Sequence, residues 1–143
     1  MIGLLSKELQ KMQNNDIKPL IVLDMKKKRI RIHKVTLKLL DNPEYIQLLI
    51  NPEEQILVLL SGSKSDHLAH KVNYEKLKNN CCELYSLDLI RAINTVVPQL
   101  NQKTSYRFTG DLVAKHNLVR FALTDPEEIT SLANEKEHIV YVH

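Results

Sequence analysis

Residues 26–54 read KKKRIRIHKVTLKLLDNPEYIQLLINPEE, and this stretch decides the predicted fold because it contains a basic run, two strands and a helix. Positions 29–33 alternate polar and apolar side chains, and a strand has a side-chain period of two. The two isoleucines therefore face a core, while Arg29, Arg31 and His33 share the opposite face, towards solvent. This part of the sequence predicts a positively charged surface on a rigid strand.

Positive charge is concentrated around this strand. Residues 26–38 contain seven Lys or Arg and no Asp or Glu, whereas the rest of the chain has more acidic than basic residues. A clustered positive patch is typical of proteins that bind nucleic acids. The alternative, equally compatible with the charge alone, is a solvent-exposed hairpin whose lysines protect an edge strand from unwanted pairing.

The pattern on both sides of the basic run predicts a β-α-β-hairpin unit within residues 20–61. Residues 20–25 form a strand before the run, and leucines at helical spacing after it predict a short helix that ends before Pro43. Two apolar strands then follow. They are joined by a turn at residues 51–54, which has proline at its second position.

Two further helices are predicted outside this unit. Residues 2–14 have an apolar stripe at spacings of three to four, which indicates an amphipathic helix. Ser86 is suited to be the N-cap of a central helix that ends before Pro98. With 143 residues, 43% of them apolar and only 5% aromatic, the chain can form one compact domain, or two small lobes sharing a core of Leu, Ile and Val.

The C-terminal third is similar in sequence to the first unit. YRF at 106–108 aligns with IRI at 30–32, and VRFALTDPEEI at 119–129 aligns with IQLLINPEEQI at 46–56 with one residue slipped. The second copy differs because proline at the first helical position, Pro126, predicts a helix there instead of a turn. The last six residues, HIVYVH, predict an edge strand.

The predicted fold class is therefore α+β. Two β-α-β-hairpin units, related by an internal repeat, form a small β core with an amphipathic N-terminal helix and a central helix. The predicted segments are 1–19 (N-terminal helix and linker), 20–61 (first unit), 62–104 (linker and central helix) and 105–143 (second unit with a C-terminal helix and strand).

The segment RIRIHKVTLKLL at 29–40 resembles the opening of the AbrB, MazE and MraZ group of swapped-hairpin DNA-binding domains. Those domains open with an alternating strand, then Pro-Lys, a short helix ending in Leu-Gly, and two strands joined by a turn. Lys34 and Leu40 match this pattern, whereas His33 replaces the proline and Asp41 replaces the glycine. The resemblance implies an interleaved β core that contacts DNA, usually as a homodimer, and a chain with two such units is similar to MraZ.

The charge pattern and the resemblance together give the expected DNA contacts. Lysines would neutralise phosphates, and an arginine could read guanine through two hydrogen bonds. The expected DNA-binding residues are Lys26, Lys27, Lys28, Arg29, Arg31, His33, Lys34 and Arg107. The expected partners are duplex DNA and further copies of the same chain, in a homodimer or higher homo-oligomer.

Other kinds of site have weak support in the sequence. His67, His70, Cys81 and Cys82 could bind zinc, but adjacent cysteines lack the usual two-residue spacing, so no metal or cofactor is expected. Nothing positions a base beside a cysteine nucleophile, so no catalytic residue and no enzyme activity are predicted. Adjacent cysteines do not form an unstrained disulfide, and no apolar run approaches the roughly 18 residues of a membrane span. The sequence thus predicts a cytoplasmic protein with reduced thiols and no membrane contact.

The leading functional hypothesis is a non-enzymatic DNA-binding protein, sequence-specific or general, that regulates transcription in a bacterial or phage element. The alternative is an accessory or inhibitor protein of a mobile element that binds a host protein. It is favoured by the lack of a catalytic set and by the N-terminal amphipathic helix, whose apolar face is suited to docking. The sequence leaves both hypotheses open.

Overall fold

The computed structural model describes residues 18–129 of the chain, and these residues form a mostly β structure. The strands are β1 (Leu20–Asp24), β2 (Arg29–His33), β3 (Tyr45–Asn51), β4 (Ile56–Ser61), β5 (His70–Lys71), β6 (Cys81–Leu84), β7 (Ser105–Val113), β8 (Leu118–Ala122) and β9 (Glu127–Ile129). The helices are α1 (Lys34–Leu39) and α2 (Leu87–Val96), with short 3-10 helices at Tyr74–Lys76 and Ala114–His116.

The strands form one antiparallel sheet that curls into a nearly closed, barrel-like shape. The strand order is β5-β3-β4-β8-β7-β1-β2-β6, and β9 pairs with β7 outside this path. The strands β5 and β6 are therefore the two ends of the curled sheet. Within residues 18–129, none of the helices has the length and apolar character that crossing a membrane requires.

Alternation along the strands produces a buried inner face and a more polar outer face. Ile30 and Ile32 of β2 are completely buried, whereas their neighbours along the strand are half-buried. Phe108 of β7 and Phe121 of β8 are the largest side chains that are fully buried. The core is therefore built largely from Ile and Leu, as the composition predicts, with two phenylalanines inside the sheet.

The two helices lie at opposite ends of the strands, that is, above and below the curled sheet. The strand β2 leads into α1 and β6 leads into α2, and these two strands run antiparallel to each other. On α2, Ser86 is the N-cap, since its hydroxyl accepts the N–H of Leu89, which confirms the predicted start of this helix. Ile90 and Ile93 pack into the core, whereas Leu87, the first residue of the helix, is exposed.

The buried hydroxyl of Thr36 attaches α1 to the start of β1. Its Oγ1 accepts the N–H of Leu20 at 2.7 Å and donates to the carbonyl oxygen of the same residue at 2.9 Å. Thr36 is 0% exposed, so both backbone groups of Leu20 depend on this side chain for hydrogen bonds away from water.

Gly110 lies where β7 changes partners. Residues 105–109 pair with β1, whereas residues 110–113 pair with β8 on the other side of the strand. A Cβ atom at Gly110 would lie 2.4 Å from the carbonyl oxygen of Arg120 and 2.7 Å from the ring of Phe121. Only glycine fits at this position. The close approach allows β7 to pair with β1 along its first half and with β8 along its second half.

The α+β prediction with two β-α-β-hairpin units is wrong. In the second unit no helix follows the arginine-bearing strand, because β7 continues to Val113 and a 3-10 helix leads into β8. After Pro126 the structure has strand β9 and not the start of a helix, because Glu127–Ile129 completes its backbone hydrogen bonds by pairing with β7. The predicted N-terminal helix at 2–14 and the edge strand at 138–143 lie outside the described residues.

Candidate nucleic-acid interface

Two neighbouring turns at the α2 end of the sheet carry a cluster of lysines. The N–H of Met25 donates to the carbonyl oxygen of Thr104 at 3.1 Å, which places the β1–β2 turn beside the turn that precedes β7. Lys28 Nζ also donates to Gln102 Oε1 at 2.7 Å across the two turns. The lysines of these turns, Lys26, Lys27, Lys28 and Lys103, are called the turn lysine cluster below.

The local sequence explains why the first turn presents its lysines outward. Asp24 Oδ1 accepts the N–H of Lys27 at 3.0 Å, which closes the turn directly after β1. Lys28 has a left-handed backbone with a φ of 55°, and it leads the chain back into β2. Lys26, Lys27 and Lys103 are exposed, and none of the four lysines forms an ion pair with another residue between 18 and 129.

Arg29, predicted to contact DNA, lies between two carboxylates on the outer face of the sheet. Its Nε is 2.9 Å from Asp24 Oδ2, and its Nη1 is 2.6 Å from Glu83 Oε2 on β6. Burial alone would lower the pKa of Arg29, but the nearby Tyr85 hydroxyl and the charges of Glu83 and Asp24 raise it above its ordinary value. The guanidinium therefore stays charged, and its charge is balanced within the protein.

Arg31 belongs to the same ion-paired group. Its Nε is 3.4 Å from Glu83 Oε2, and its Nη2 donates to the backbone oxygen of Lys78 at 3.3 Å. The Arg31 side chain is 21% exposed and that of Glu83 is 9% exposed. Glu83 therefore accepts a hydrogen bond from Arg29 and forms an ion pair with Arg31, whose Nε is buried and donates no hydrogen bond among the described residues. In this partly dehydrated position the attraction between the charges is stronger than at an open surface.

Arg107 lies on the same outer face, and its ion pair is more exposed. Its Nη2 is 3.4 Å from Glu127 Oε1 on β9, and the Glu127 side chain is 66% exposed. The Nε of Arg107 is buried and has no hydrogen-bond partner among the described residues. All three predicted arginines are thus paired with carboxylates, which the sequence analysis did not predict.

His33, also predicted to contact DNA, is the N-cap of α1. Its Nδ1 accepts the N–H of Val35 at 3.1 Å, which satisfies one of the unpaired donors at the start of the helix. Burial, together with the positive charges of Lys34 and Arg31, lowers the pKa of His33 below its ordinary value. Lys34, the remaining predicted contact, is exposed on α1 at the end of the sheet opposite the turn lysine cluster.

No protein-family model, curated protein or solved structure matches this chain. The resemblance to the swapped-hairpin domains therefore stays a prediction.

Lys103 was missed as a member of the cluster, because the sequence does not show that β7 pairs with β1. The register, in which Asp24 pairs with Ser105, is what brings the two turns together. A cue in the sequence is that residues 101–104, like 25–28, contain a lysine and no acidic residue. Within residues 18–129 the lysines of the predicted interface thus form no ion pairs, whereas its arginines do.

The strand register brings one cysteine and one histidine of the described residues side by side, Cys81 on β6 and His33 on β2. Burial raises the pKa of the Cys81 thiol, and Nδ1 of His33 accepts the N–H of Val35 in α1. A thiol held in its protonated form is a poor nucleophile. Between residues 18 and 129, no three His, Cys, Asp or Glu side chains are grouped to hold a metal ion.

Proposed function

We propose that the protein binds the phosphate backbone of duplex DNA through the turn lysine cluster, as a non-enzymatic protein. The observation that carries this proposal is the contact between two turns that contain four lysines, no acidic residue and no ion pair with the rest of the described chain. Lysine ammonium groups displace the cations condensed on DNA, and this displacement provides binding free energy. Two free, buried cysteines support a cytoplasmic location.

The ion pairs favour general DNA binding over sequence-specific recognition. Arginine reads guanine with two donors of its guanidinium, but those of Arg29 and Arg31 are directed at Asp24 and Glu83. Lysines act as point charges on phosphates and carry no direct sequence information. A regulator of this kind would act by occupying or bending DNA, and a homodimer would present two clusters to one duplex.

A titration of duplex DNA at several salt concentrations tests the proposal. Each phosphate contact contributes about 0.9 to the slope of log affinity against log salt, so replacing Lys26, Lys27 and Lys28 by Gln should reduce the slope by about 2–3. The matched control replaces Lys38, Lys64 and Lys115, three exposed lysines away from the turn lysine cluster, and makes the same change in net charge. No binding at low salt, or an equal loss in both triple variants, would contradict the proposal.

A second candidate, a partner-binding accessory protein of a mobile element, is favoured by one apolar feature. Tyr85 is 65% exposed and Leu87 is 53% exposed, and both follow β6, which is an end strand of the sheet within residues 18–129. Two large exposed apolar side chains so close in sequence would contribute to an apolar patch of the kind that binds proteins. The two candidates differ in a pull-down from host lysate treated with nuclease, in which a protein partner stays bound unless Leu87 is replaced by Asp.

A further inference from the structure

A cleft lies where the curled sheet fails to close, between its end strands β5 and β6. It has a volume of about 220 Å³, and it is called the β5–β6 cleft below. Its polar lining consists of Lys71, Asn73, Lys76, Lys78, Glu83 and Tyr85. Leu77 and the two cysteines provide the apolar part of the lining. The site is distinct from the turn lysine cluster, since none of the four cluster lysines lines it.

The three lysines of the cleft give it a positive charge. Lys71 and Lys76 are exposed, and neither forms an ion pair with another residue in the range 18–129. The Lys78 side chain is 76% exposed, and its Nζ is 3.9 Å from Glu83 Oε1, at the outer limit of an ion pair. Glu75, in the adjacent 3-10 helix, is exposed and does not line the cleft.

The only carboxylate in the lining of this cleft is already neutralised from outside it. Glu83 Oε2 accepts from Arg29 at 2.6 Å and lies 3.4 Å from Arg31 Nε, although neither arginine lines the cleft. Two guanidinium groups therefore balance Glu83, which leaves the ammonium groups of the lysines uncompensated. Such an arrangement attracts an anion with more than one negative charge.

Tyr85 adds a flat apolar surface at the mouth of the cleft. The residue is 65% exposed, and it lines the cleft together with the three lysines. An exposed aromatic ring next to lysines is the combination with which proteins bind nucleotides, because the ring stacks on a base while the cations hold the phosphate.

We propose that the β5–β6 cleft binds a nucleotide through its terminal phosphate group, with Lys71, Lys76 and Lys78 around the phosphate and the base stacked on Tyr85. The volume of about 220 Å³ is below the roughly 300–1,000 Å³ of pockets that enclose a whole drug-sized ligand. The cleft therefore takes the phosphate and sugar, and the base lies outside against the ring. A free mononucleotide and the 5′ end of a nucleic-acid strand offer the same chemistry.

Calorimetric titration of the full chain with AMP, adenosine and pyrophosphate tests this proposal. We expect AMP to bind at least tenfold more tightly than adenosine, because adenosine lacks the phosphate. Replacing Lys71 and Lys76 by Gln should weaken AMP binding at least tenfold. The control that replaces the exposed Lys38 and Lys64 by Gln makes the same charge change and should weaken it less than twofold.

Variants of Tyr85 separate stacking from charge. Tyr85→Ala should weaken AMP binding and leave pyrophosphate binding unchanged, whereas Tyr85→Phe, which keeps the ring, should retain most of the affinity for AMP. The proposal is overturned if AMP binds no better than adenosine or not at all, or if both double-lysine variants lose affinity equally. A hexaglutamate peptide that binds more tightly than AMP would also overturn it, since the cleft would then fit an acidic protein segment.

Two further titrants identify the source of the phosphate. If a short oligonucleotide with a 5′ phosphate binds more tightly than AMP and than its unphosphorylated form, the ligand is the end of a strand. If AMP binds at least as well as the phosphorylated oligonucleotide, the ligand is a free nucleotide. Either result supports the cleft. The comparison with the unphosphorylated oligonucleotide separates the cleft from backbone binding at Lys26, Lys27 and Lys28, because both oligonucleotides have the same backbone.

Discussion

Arg31 of β2 and Arg107 of β7 flank the same residue, because both pair in register with Val22 on the strand between them. On the next strand outward, Arg31 is opposite Glu83 and Arg107 is opposite Glu127. The row across the outer face therefore reads Glu-Arg-Val-Arg-Glu and is neutral. This pairing explains why the positive charge available to a ligand lies in the turns and in the β5–β6 cleft.

We expect Glu83→Gln to destabilise the protein by about 2–3 kcal/mol, because the change leaves two partly buried guanidinium groups without their shared carboxylate. Chemical denaturation with urea measures the loss. The matched control is Glu127→Gln, whose carboxylate is 66% exposed, and it should cost less than about 1 kcal/mol. Equal losses would show that the ion pairs of Glu83 contribute little to stability.

Stability should fall on acidification because of His33. Burial, with Lys34 and Arg31, lowers the pKa of this residue in the folded protein below its ordinary value of 6.5, so in the acidic range the unfolded chain binds a proton more readily. The contribution is complete above pH 6.5 and is lost as the pH falls from there towards the lowered pKa. Protonation also removes the lone pair with which Nδ1 accepts the N–H of Val35.

Thermal unfolding at pH 7.5 and pH 5.5 measures this effect. His33→Asn, which can still cap α1, should reduce the difference between the two pH values, because its side chain does not titrate. His116→Asn is the control, since His116 is exposed and its replacement should leave the pH dependence as it is. If both variants keep the dependence on pH, another group causes it.

Thr36→Val should destabilise the protein by about 2 kcal/mol or more, because the N–H and the carbonyl oxygen of Leu20 lose their partner in a buried position. Thr36→Ser keeps the hydroxyl and loses one methyl group, so it should cost about 1 kcal/mol. Urea denaturation compares the two variants. A Val variant as stable as the Ser variant would mean that water replaces the lost hydrogen bonds.

Gly110→Ala should cost about 3 kcal/mol, because its Cβ would meet the backbone of Arg120, which cannot move without breaking the sheet. Gly62→Ala is a useful comparison. There the nearest atom, 2.9 Å away, is the methyl group of Ala69 in a loop, so we expect a smaller loss. Thermal unfolding of both variants tests the difference, and equal stability would contradict the close approach at Gly110.

Much of the local structure could be predicted because the signals are short in range. Alternating side chains give β2, the cap at Ser86 gives the start of α2, and proline with two glutamates gives the turn between β3 and β4. The environment of the arginines could not be predicted in this way. Arg29 and Glu83 are 54 positions apart, and only the pairing of β2 with β6 brings them together.

The error in fold class has a similar physical cause. Proline and two glutamates follow an apolar strand in both halves of the sequence, but the two copies form different structures. Pro52 lies in a tight turn, whereas Pro126 precedes β9, which pairs with an open stretch of β7. The residues after Pro126 have a local pattern suited to the start of a helix, but they form a strand because β7 offers them backbone hydrogen bonds. The two-residue strand β5 has no periodic signal at all.

Because β1 pairs with β7, the sheet can close around β1 only after β7 has been synthesised. The strand β1 is synthesised before β7, its second neighbour, and most of the described chain lies between them. Until then Ile21 and Leu23 belong to a hairpin with one bare side, and such long-range β pairing is slow to form. Before β7 pairs, that side of the hairpin is an open edge at which chaperones or other copies of the chain can bind.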